Sequence, residues 1–326
     1  MIPPELPLPL QAAIDELVRG SDRGPLEAAA ARLSDAYRSG GAARAARTPV
    51  EVLAYVAQRA PATYAAVASV LGRVREQRPD WQPRSVLDVG AGPGVASWAV
   101  RALWPEVERI VLVEAEPEMI VLGRALGLPG AEWVQGSLDA AEGSFDLVLA
   151  SYVLNELPPG ELETETSSLW ARTCDTLVVV EPGTPAGYER VLGVRVTALA
   201  AGGHTLAPCP HDDPCPLEAP DWCHYSARLQ RSEAHRSVKA VSRGFEDEKY
   251  SYVALGRAPA ARASGRIIRQ PQIRPGHVLL QLSTRAGIER VTVSKRDRES
   301  YRRARKAAWG DPFDVRSRDS DAREVP

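Results

Sequence analysis

The stretch SVLDVGAGPG, residues 85–94, decides how the fold of this chain is interpreted. Its apolar half ends in three alternate glycines, Gly90, Gly92 and Gly94, and the helix-like VASWAVRALWP follows. A strand, a glycine turn and a helix in this order let backbone amides approach a ligand at the helix N-terminus. A dinucleotide site would place another glycine where this chain has Val95. A dinucleotide site and a tight turn without a ligand both stay open at this point.

Around this stretch, short apolar runs alternate with helical patterns. RIVLVEAEP (109–117), FDLVLASYVLNELP (145–158) and TLVVVEPG (176–183) are typical of buried parallel strands, and their alternation with helices predicts a doubly wound α/β sheet. KYSYVALGR (249–257), HVLLQLSTRAG (277–287) and RVTVSKR (290–296) are expected to supply the closing strands of that sheet.

The first 80 residues have a different pattern, with apolar residues at three- and four-residue intervals. This periodicity predicts an N-terminal helical domain at 1–80, with Ser34 and Thr48 near helix starts. A second domain is predicted at 81–312, followed by a polar, disordered tail at 313–326.

The composition is that of an ordinary soluble globular protein. The chain of 326 residues is 44% apolar and 25% charged, with a formal net charge of −2, so no global field favours nucleic acid. The N-terminus has no basic segment followed by a long apolar run, and no stretch reaches the roughly 18 apolar residues of a membrane span. We therefore expect a cytoplasmic protein with no membrane partner.

The stretch from Asp88 to Gly94 resembles motif I of class I S-adenosylmethionine-dependent methyltransferases, because it reads Asp-x-Gly-x-Gly-x-Gly. Glu114 ends the next strand, where an acidic side chain accepts hydrogen bonds from both ribose hydroxyls. The resemblance implies a Rossmann-like methyltransferase sheet that binds S-adenosylmethionine. The cofactor-binding residues that it implies are Asp88, Gly90, Gly92, Gly94, Glu114, Ser137, Leu138 and Ser151.

The catalytic residues are not identified by this resemblance. The segment Asn155-Glu156-Leu157-Pro158-Pro159 does not match the Asn/Asp-Pro-Pro-aromatic motif of amino-directed nucleic-acid methyltransferases, and this strand contains no cysteine nucleophile. Asn155 and Glu156 are candidates for substrate contact, with a role in the loop as the alternative. Transfer from a sulfonium needs mainly alignment of the methyl group and its acceptor.

Three of the four cysteines, Cys209, Cys215 and Cys223, lie within fifteen residues in a proline-rich segment. Their spacing differs from the paired C-x2-C pattern of most zinc ribbons, so zinc with help from His204, His211 or His224 and an iron–sulfur cluster both stay open. The segment, at about 204–245, is interpreted as an inserted cysteine-rich metal-binding loop. The fourth cysteine, Cys174, begins an apolar strand and is expected to be a small buried residue.

The segment RVTVSKRDRESYRRARKAAWGD, residues 290–311, combines a strand with a strongly basic helical pattern. Such a helix can neutralise RNA phosphates, and Tyr301 and Trp309 could stack on unpaired bases, with a solvated helix as the alternative. His235, Arg236 and Lys239 could extend the same surface. The predicted RNA-binding residues are Lys295, Arg296, Arg302, Arg303, Arg305 and Lys306.

The chain resembles a small-ribosomal-subunit methyltransferase-like family of bacteria and mitochondria over roughly residues 30–312. The resemblance is carried by six stretches that occur in the same order: RAPATYAA (59–66), DVGAGPG, SYVLNELP, APCPHDDPCPL, DWCHYS and EDEKYSYVAL. The resemblance implies a partner, the small ribosomal subunit and its rRNA. It also implies a 4Fe–4S cluster on the three cysteines and a fourth near the C-terminus, where this chain has Ser283. With serine there, 3Fe–4S, a labile 4Fe–4S and zinc stay open. An rRNA methyltransferase, a non-catalytic iron–sulfur assembly factor and a small-molecule methyltransferase are the alternative functions.

Overall fold

The computed structural model of the chain describes residues 5–38, 47–137, 140–230 and 245–314. Three helices come first: α1 (Leu8–Arg19), α2 (Arg23–Arg38) and α3 (Pro49–Gln77). Thr48 caps α3, since its hydroxyl accepts the Glu51 amide while the Glu51 carboxylate accepts the Thr48 amide at 3.1 Å. The helix start predicted at Thr48 is confirmed. The one predicted near Ser34 is wrong, because Ser34 lies inside α2.

The main sheet contains eight strands in the described part of the chain, with β3-β2-β1-β4-β5-β8-β6 as neighbours and β7 paired to β8. β1 to β5 run parallel, and β8 is antiparallel to β5 and β6. This is the topology of a class I methyltransferase sheet. The strands are β1 (Ser85–Val89), β2 (Arg109–Glu114), β3 (Ala131–Gln135), β4 (Phe145–Ser151), β5 (Thr173–Pro182), β6 (His204–Ala207), β7 (Tyr225–Gln230) and β8 (Phe245–Gly256).

Helices cover both faces of this sheet, which explains why its strands are apolar on both sides. Alternate residues such as Leu112 and Leu149 pack towards α3 and α4 (Val95–Leu103), and the intervening Val111 and Val148 pack towards α6 (Leu162–Ala171) and α7 (Pro185–Ala200). A further helix, α5 (Pro117–Ala125), connects β2 to β3. The α/β sheet predicted from the sequence is confirmed.

A second, four-stranded sheet follows: β9 (Gly265–Ile267), β10 (Gln272–Arg274), β11 (His277–Thr284) and β12 (Gly287–Ser294), with α8 (Arg298–Lys306) packed on β11 and β12. It encloses its own small core, which includes Leu280, Leu282 and Ala304. The expectation that the segments at 277–287 and 290–296 complete the main sheet is therefore wrong, whereas the segment at 249–257 does so as β8. Short apolar strands carry no local signal for which sheet they join.

Candidate functional site

The glycine turn between β1 and α4 borders a large cavity; a second, narrow cavity lies at the cysteines. Gly90 has a φ of 60°, and a Cβ built there would lie 2.2 Å from Cγ2 of Val153. Gly92 has a φ of 53°, and its Cβ would meet no atom within 4 Å. Packing therefore requires glycine at 90, whereas at 92 only the left-handed backbone favours glycine and the space beside it is open. Gly94, with a φ of 80°, is the N-cap of α4.

The Glu114 carboxylate is fixed at the edge of this turn. One oxygen accepts the backbone amide of Gly92 at 2.7 Å, and the other accepts the amide of Glu116 at 2.9 Å. The carboxylate therefore has a defined orientation at the carboxyl end of β2, beside the turn that approaches the cavity.

Asp88 lies beneath the turn and is fully buried. The Ser97 hydroxyl donates to its Oδ2 at 2.7 Å, whereas Oδ1 has no hydrogen-bond partner among the described residues. Burial raises the pKa of Asp88 to about 7; the Ser97 hydrogen bond opposes this rise and the charge of Glu114 adds to it. A carboxyl group with this pKa is partly protonated near neutral pH.

The larger cavity has a volume of about 600 Å³ and extends from the glycine turn to α3, the turn after β4 and α6. This is a size typical of ligand sites. Asp88 and Gly94 support the turn from below and are not in its wall. Leu138 lies outside the described residues. The predicted residues in the wall are Gly90, Gly92, Glu114, Ser137, Ser151 and Glu156.

The turn after β4 has an unusual backbone that neighbouring side chains hold in place. Tyr152 has a φ of 59°, in the left-handed region that non-glycine residues avoid. The Asn155 amide donates to the carbonyl of Tyr152 at 2.8 Å, and the Leu154 amide donates to Glu181 at 3.0 Å. Asn155 thus serves the turn and is not in the cavity wall, unlike its neighbour Glu156.

Sequence reasoning missed a buried network at this end of the cavity. Arg59 of α3 donates to both oxygens of Glu248 at 2.8 and 3.4 Å, and the Tyr152 hydroxyl donates to the same carboxylate at 3.2 Å. The three residues come from α3, the β4 turn and β8. Since they are far apart in the chain, no local pattern could have connected them.

The second cavity is narrow, with a volume of about 30 Å³, and its wall contains Cys209, Cys215, Cys223 and Ser283. It lies where α7 and β8 of the main sheet meet β9 and β11 of the second sheet. His204, His211 and His224 are not in its wall. Among the described residues, no three His, Cys, Asp or Glu side chains are placed so that they could hold one metal ion.

The thiols in this cavity are shielded and hydrogen-bonded. The Tyr188 hydroxyl donates to Sγ of Cys215 at 3.2 Å, and Sγ of Cys223 lies 3.4 Å from the Tyr225 hydroxyl. Burial raises the pKa of Cys209, and it raises the pKa of Cys223 to about 12. Without a cationic ligand the thiols of Cys209 and Cys223 stay neutral, so these two are poor nucleophiles.

Arginines fix the loop that carries the cysteines. Arg195 of α7 donates to the carbonyls of His211 and Asp213 at 2.8 and 2.9 Å, and Arg266 of β9 donates to the carbonyl of Pro208 at 2.8 Å. Arg195 and Arg266 are both buried. Both arginines are in the wall of the cavity, so two positive charges lie beside the cysteines.

Cys174 is exposed, so the expectation that it is buried is wrong. It lies at the start of β5, before the apolar run that the flanking helices cover, and Leu177 is the first fully buried leucine of that run.

The basic segment forms α8 and the turn before it, with every predicted RNA-binding side chain exposed. Arg303 is nevertheless engaged, since it lies 3.7 Å from Asp314 and over the ring of Phe313. Trp309 packs on His224 and Tyr225, with ring centroids 5.0 and 6.4 Å apart, and Tyr301 packs on the core of the second sheet. Both rings therefore make contacts within the fold while staying partly exposed, and their stacking on bases stays a prediction. The residues at 235, 236 and 239 lie outside the described part.

No helix in the described ranges has both the length and the apolar character needed to span a bilayer.

Comparisons with known proteins agree with the resemblance drawn from the sequence. The human mitochondrial ribosome assembly protein METTL17 is 30% identical over 289 residues, which are 81% of this chain and 62% of that protein. The mitochondrial Rsm22-cox11 tandem protein 2 of Schizosaccharomyces pombe is 27% identical over 82% of this chain and 43% of its own length. The chain thus spans only about two fifths to three fifths of these relatives.

Among solved structures, the magnesium protoporphyrin IX methyltransferase of Synechocystis PCC 6803 with bound SAM matches with a TM-score of 0.41 and 14% identity, over 60% of this chain and 80% of that one. This likeness is too low to inform function. The model of the family described as mitochondrial small ribosomal subunit Rsm22 matches residues 49–314, which is most of the chain. The chain therefore belongs to the Rsm22 family.

Proposed function

We propose that this protein binds S-adenosylmethionine in the larger cavity and acts on the small ribosomal subunit or its rRNA. The observation that carries the proposal is the Glu114 carboxylate, held by the amide of Gly92 at 2.7 Å beside a glycine turn that opens into a cavity of about 600 Å³. Glu114 would accept the ribose hydroxyls, and the turn would hold the amino-acid part of the cofactor.

The charges around the cavity support a cationic ligand. Acidic residues outnumber basic ones in the wall: the acidic ones are Glu114, Glu116, Glu156, Glu161 and Glu165, and the basic ones are Arg47 and Arg59. The charge of Arg59 is balanced by Glu248. A sulfonium cofactor, which supplies an electrophilic methyl group when bound, complements this distribution.

Catalysis in this proposal depends on alignment. The backbone of Tyr152, fixed by Asn155 and Glu181, places the end of β4 beside the cavity where an acceptor would lie. Glu156 is the acidic side chain closest along the chain to that turn and could hold the acceptor by a hydrogen bond. Alignment of the methyl group with its acceptor lowers the barrier of such a transfer without a strong base.

The test is transfer of a labelled methyl group to immature small subunits. The wild type should transfer it, and Gly92→Arg, whose side chain would enter the cavity, should abolish transfer without unfolding the protein. A wild-type protein that binds the subunits but transfers nothing would contradict the enzyme proposal and favour the second candidate, a non-catalytic assembly factor. Transfer to small molecules but not to subunits would favour a small-molecule methyltransferase.

The exposed cations of α8 support the proposal of an RNA partner. Arg302, Arg305 and Lys306 lie on the solvent side of α8, with Lys295 and Arg296 in the turn before it. Counterion release predicts that each lost phosphate contact lowers the slope of log affinity against log salt by about one.

Arg303 provides a matched control for this RNA test. Because Asp314 already lies 3.7 Å from it, Arg303→Glu should weaken binding less than Arg302→Glu, one residue away. Filter binding to precursor small-subunit rRNA at several salt concentrations measures both effects. Equal losses, or affinity indifferent to salt, would contradict the assignment.

A second element of the proposal is an iron–sulfur cluster in the cysteine cavity. The donor set fits such a group, because three thiols and one hydroxyl converge there and two buried arginines supply positive charge. One zinc ion would need sulfurs about 3.8 Å apart, given Zn–S distances of about 2.3 Å. No such single-ion group exists among the described residues, and a larger cluster tolerates wider ligand spacing. When bound, such a cluster would cross-link the cysteine loop to the second sheet or carry an electron.

Metal and acid-labile sulfide analysis of anaerobically purified protein tests the cluster. Iron and sulfide in similar amounts are expected, with visible absorption that Cys209→Ala removes. Stoichiometric zinc without iron or sulfide would contradict the cluster and favour the zinc alternative.

The cytoplasmic location predicted from the sequence stays a prediction, and localisation of the tagged protein in its own cell tests it.

A further inference from the structure

The fourth donor in the cysteine cavity is a hydroxyl on a rigid strand. Ser283 is only 8% exposed, and its backbone is paired on both sides, with Ile288 of β12 and with Arg266 of β9. The position of the Ser283 side chain is therefore set by the second sheet. The three thiols instead come from the loop segments that flank β6 and β7.

Three other hydroxyls in the wall are bonded to, or lie against, the cysteines. Tyr188 donates to Cys215, Tyr225 lies 3.4 Å from the sulfur of Cys223, and Ser251 donates to the carbonyl of Cys223 at 2.8 Å. No such bond ties the Ser283 hydroxyl to the cysteine loop within the described part of the chain. Ser283, held by the second sheet, is therefore placed to face a fourth iron in the cavity whose wall also contains the three thiols.

Resting on the proposed cluster, we infer that Ser283 faces the fourth iron and holds it less tightly than the cysteines hold the other three. A serine hydroxyl is far less acidic than a thiol, and its oxygen is a harder ligand than the sulfur that iron prefers in such clusters. One corner of the cluster is then exchangeable, and this site has three firm irons and one labile iron.

The consequence is a defined oxidation step. A 4Fe–4S cluster of charge 2+ contains two ferric and two ferrous ions. When a one-electron oxidant such as ferricyanide removes one electron, one ferrous ion becomes ferric, and the other leaves Ser283 as free Fe²⁺. The product is a 3Fe–4S cluster with three ferric ions and all four sulfides, held by the three cysteines. Ferricyanide is reduced to ferrocyanide, so charge and atoms balance.

The experiment titrates the anaerobically loaded full-length protein with ferricyanide and follows two signals. A ferrous chelator reports released iron, and EPR reports the paramagnetic three-iron product, since the starting cluster is EPR-silent. The variants are wild type, Ser283→Cys, which restores a thiol, and Ser283→Ala, which removes the oxygen. Cys209→Ala is the control for loss of the whole cluster.

We expect the wild type to release one ferrous ion per cluster and to develop the three-iron signal. Ser283→Cys should largely lose this release, because thiolate sulfur is the ligand that holds iron in such clusters. Ser283→Ala should release iron at least as fast as wild type. Equal release by wild type and Ser283→Cys, both bearing clusters, would overturn the role of Ser283 while the cluster proposal stands. Absence of iron and sulfide from every variant would overturn both.

Discussion

Gly90 and Gly92 have nearly the same backbone conformation but different surroundings, so alanine at each should fail in a different way. In both variants alanine would occupy the left-handed region, at a cost of about 1–2 kcal/mol. At Gly90 the new Cβ would also lie 2.2 Å from Cγ2 and 2.7 Å from Cβ of Val153. Overpacking of this kind costs about 1–3 kcal/mol more. Gly90→Ala should therefore lower the free energy of unfolding by about 2–5 kcal/mol.

Val153 cannot easily move away from that contact. It lies between Tyr152, whose backbone is left-handed, and Leu154, whose amide is bonded to the buried Glu181. At Gly92 the new Cβ meets nothing within 4 Å, so only the backbone cost of about 1–2 kcal/mol applies. The added methyl group would instead occupy the cavity where we propose that the cofactor approaches the turn.

The assays are urea denaturation for stability and calorimetric titration with S-adenosylhomocysteine for binding. Gly90→Ala should have the lower free energy of unfolding. Gly92→Ala should lose little stability but much of its affinity for S-adenosylhomocysteine. Equal stability of the two variants would refute the packing argument. Undiminished binding by a folded Gly92→Ala protein would refute the assignment of the turn to the cofactor.

Two further predictions concern buried charge. The folded-state pKa of Asp88, about 7, is above its ordinary value of 3.8, so the folded protein keeps a proton that the unfolded chain releases, and stability should fall as pH rises from about 4 to 7. Glu181 acts in the same direction, so Asp88→Asn should reduce this slope without abolishing it; an unchanged slope in denaturation curves across this pH range would contradict the assignment. Glu248→Gln removes the negative charge that Glu248 presents to the half-buried Arg59 and should cost about 1.5–3 kcal/mol in the same measurement. Asp247→Asn, which breaks the exposed pair with Arg228, should cost much less, and similar losses would count against the network.

The order of strands and helices around the glycine turn could be predicted because its signals are local. Continuous apolar strands such as Val111–Val113 are buried on both faces, and the glycines are required at the turn itself. Thr48 could be identified for the same reason, since a capping box spans only four residues.

The sequence prediction fell short for two different physical reasons. His224, more than eighty residues earlier, packs against the Trp309 ring, and nothing in the local pattern of the basic segment indicates this long-range contact. The expectation that the strands at 277–287 and 290–296 join the main sheet is wrong because they pair with each other across a tight two-residue connection, which is a local hairpin signal.

Strand β8 contains the segment EDEKYSYVAL, one of the stretches that carry the family resemblance, and it contributes to both cavities. Its Glu248 joins the network of Arg59 and Tyr152 at the larger cavity, and three residues later the Ser251 hydroxyl holds the carbonyl of Cys223 at the cysteine cavity. One strand thus contributes to both sites, and the tyrosines between and beyond these positions fill the core. Any change of register in β8 would disturb both cavities together, because a shift of one residue turns every side chain to the opposite face. The requirement to serve two sites from one strand constrains this segment more strongly than packing alone would.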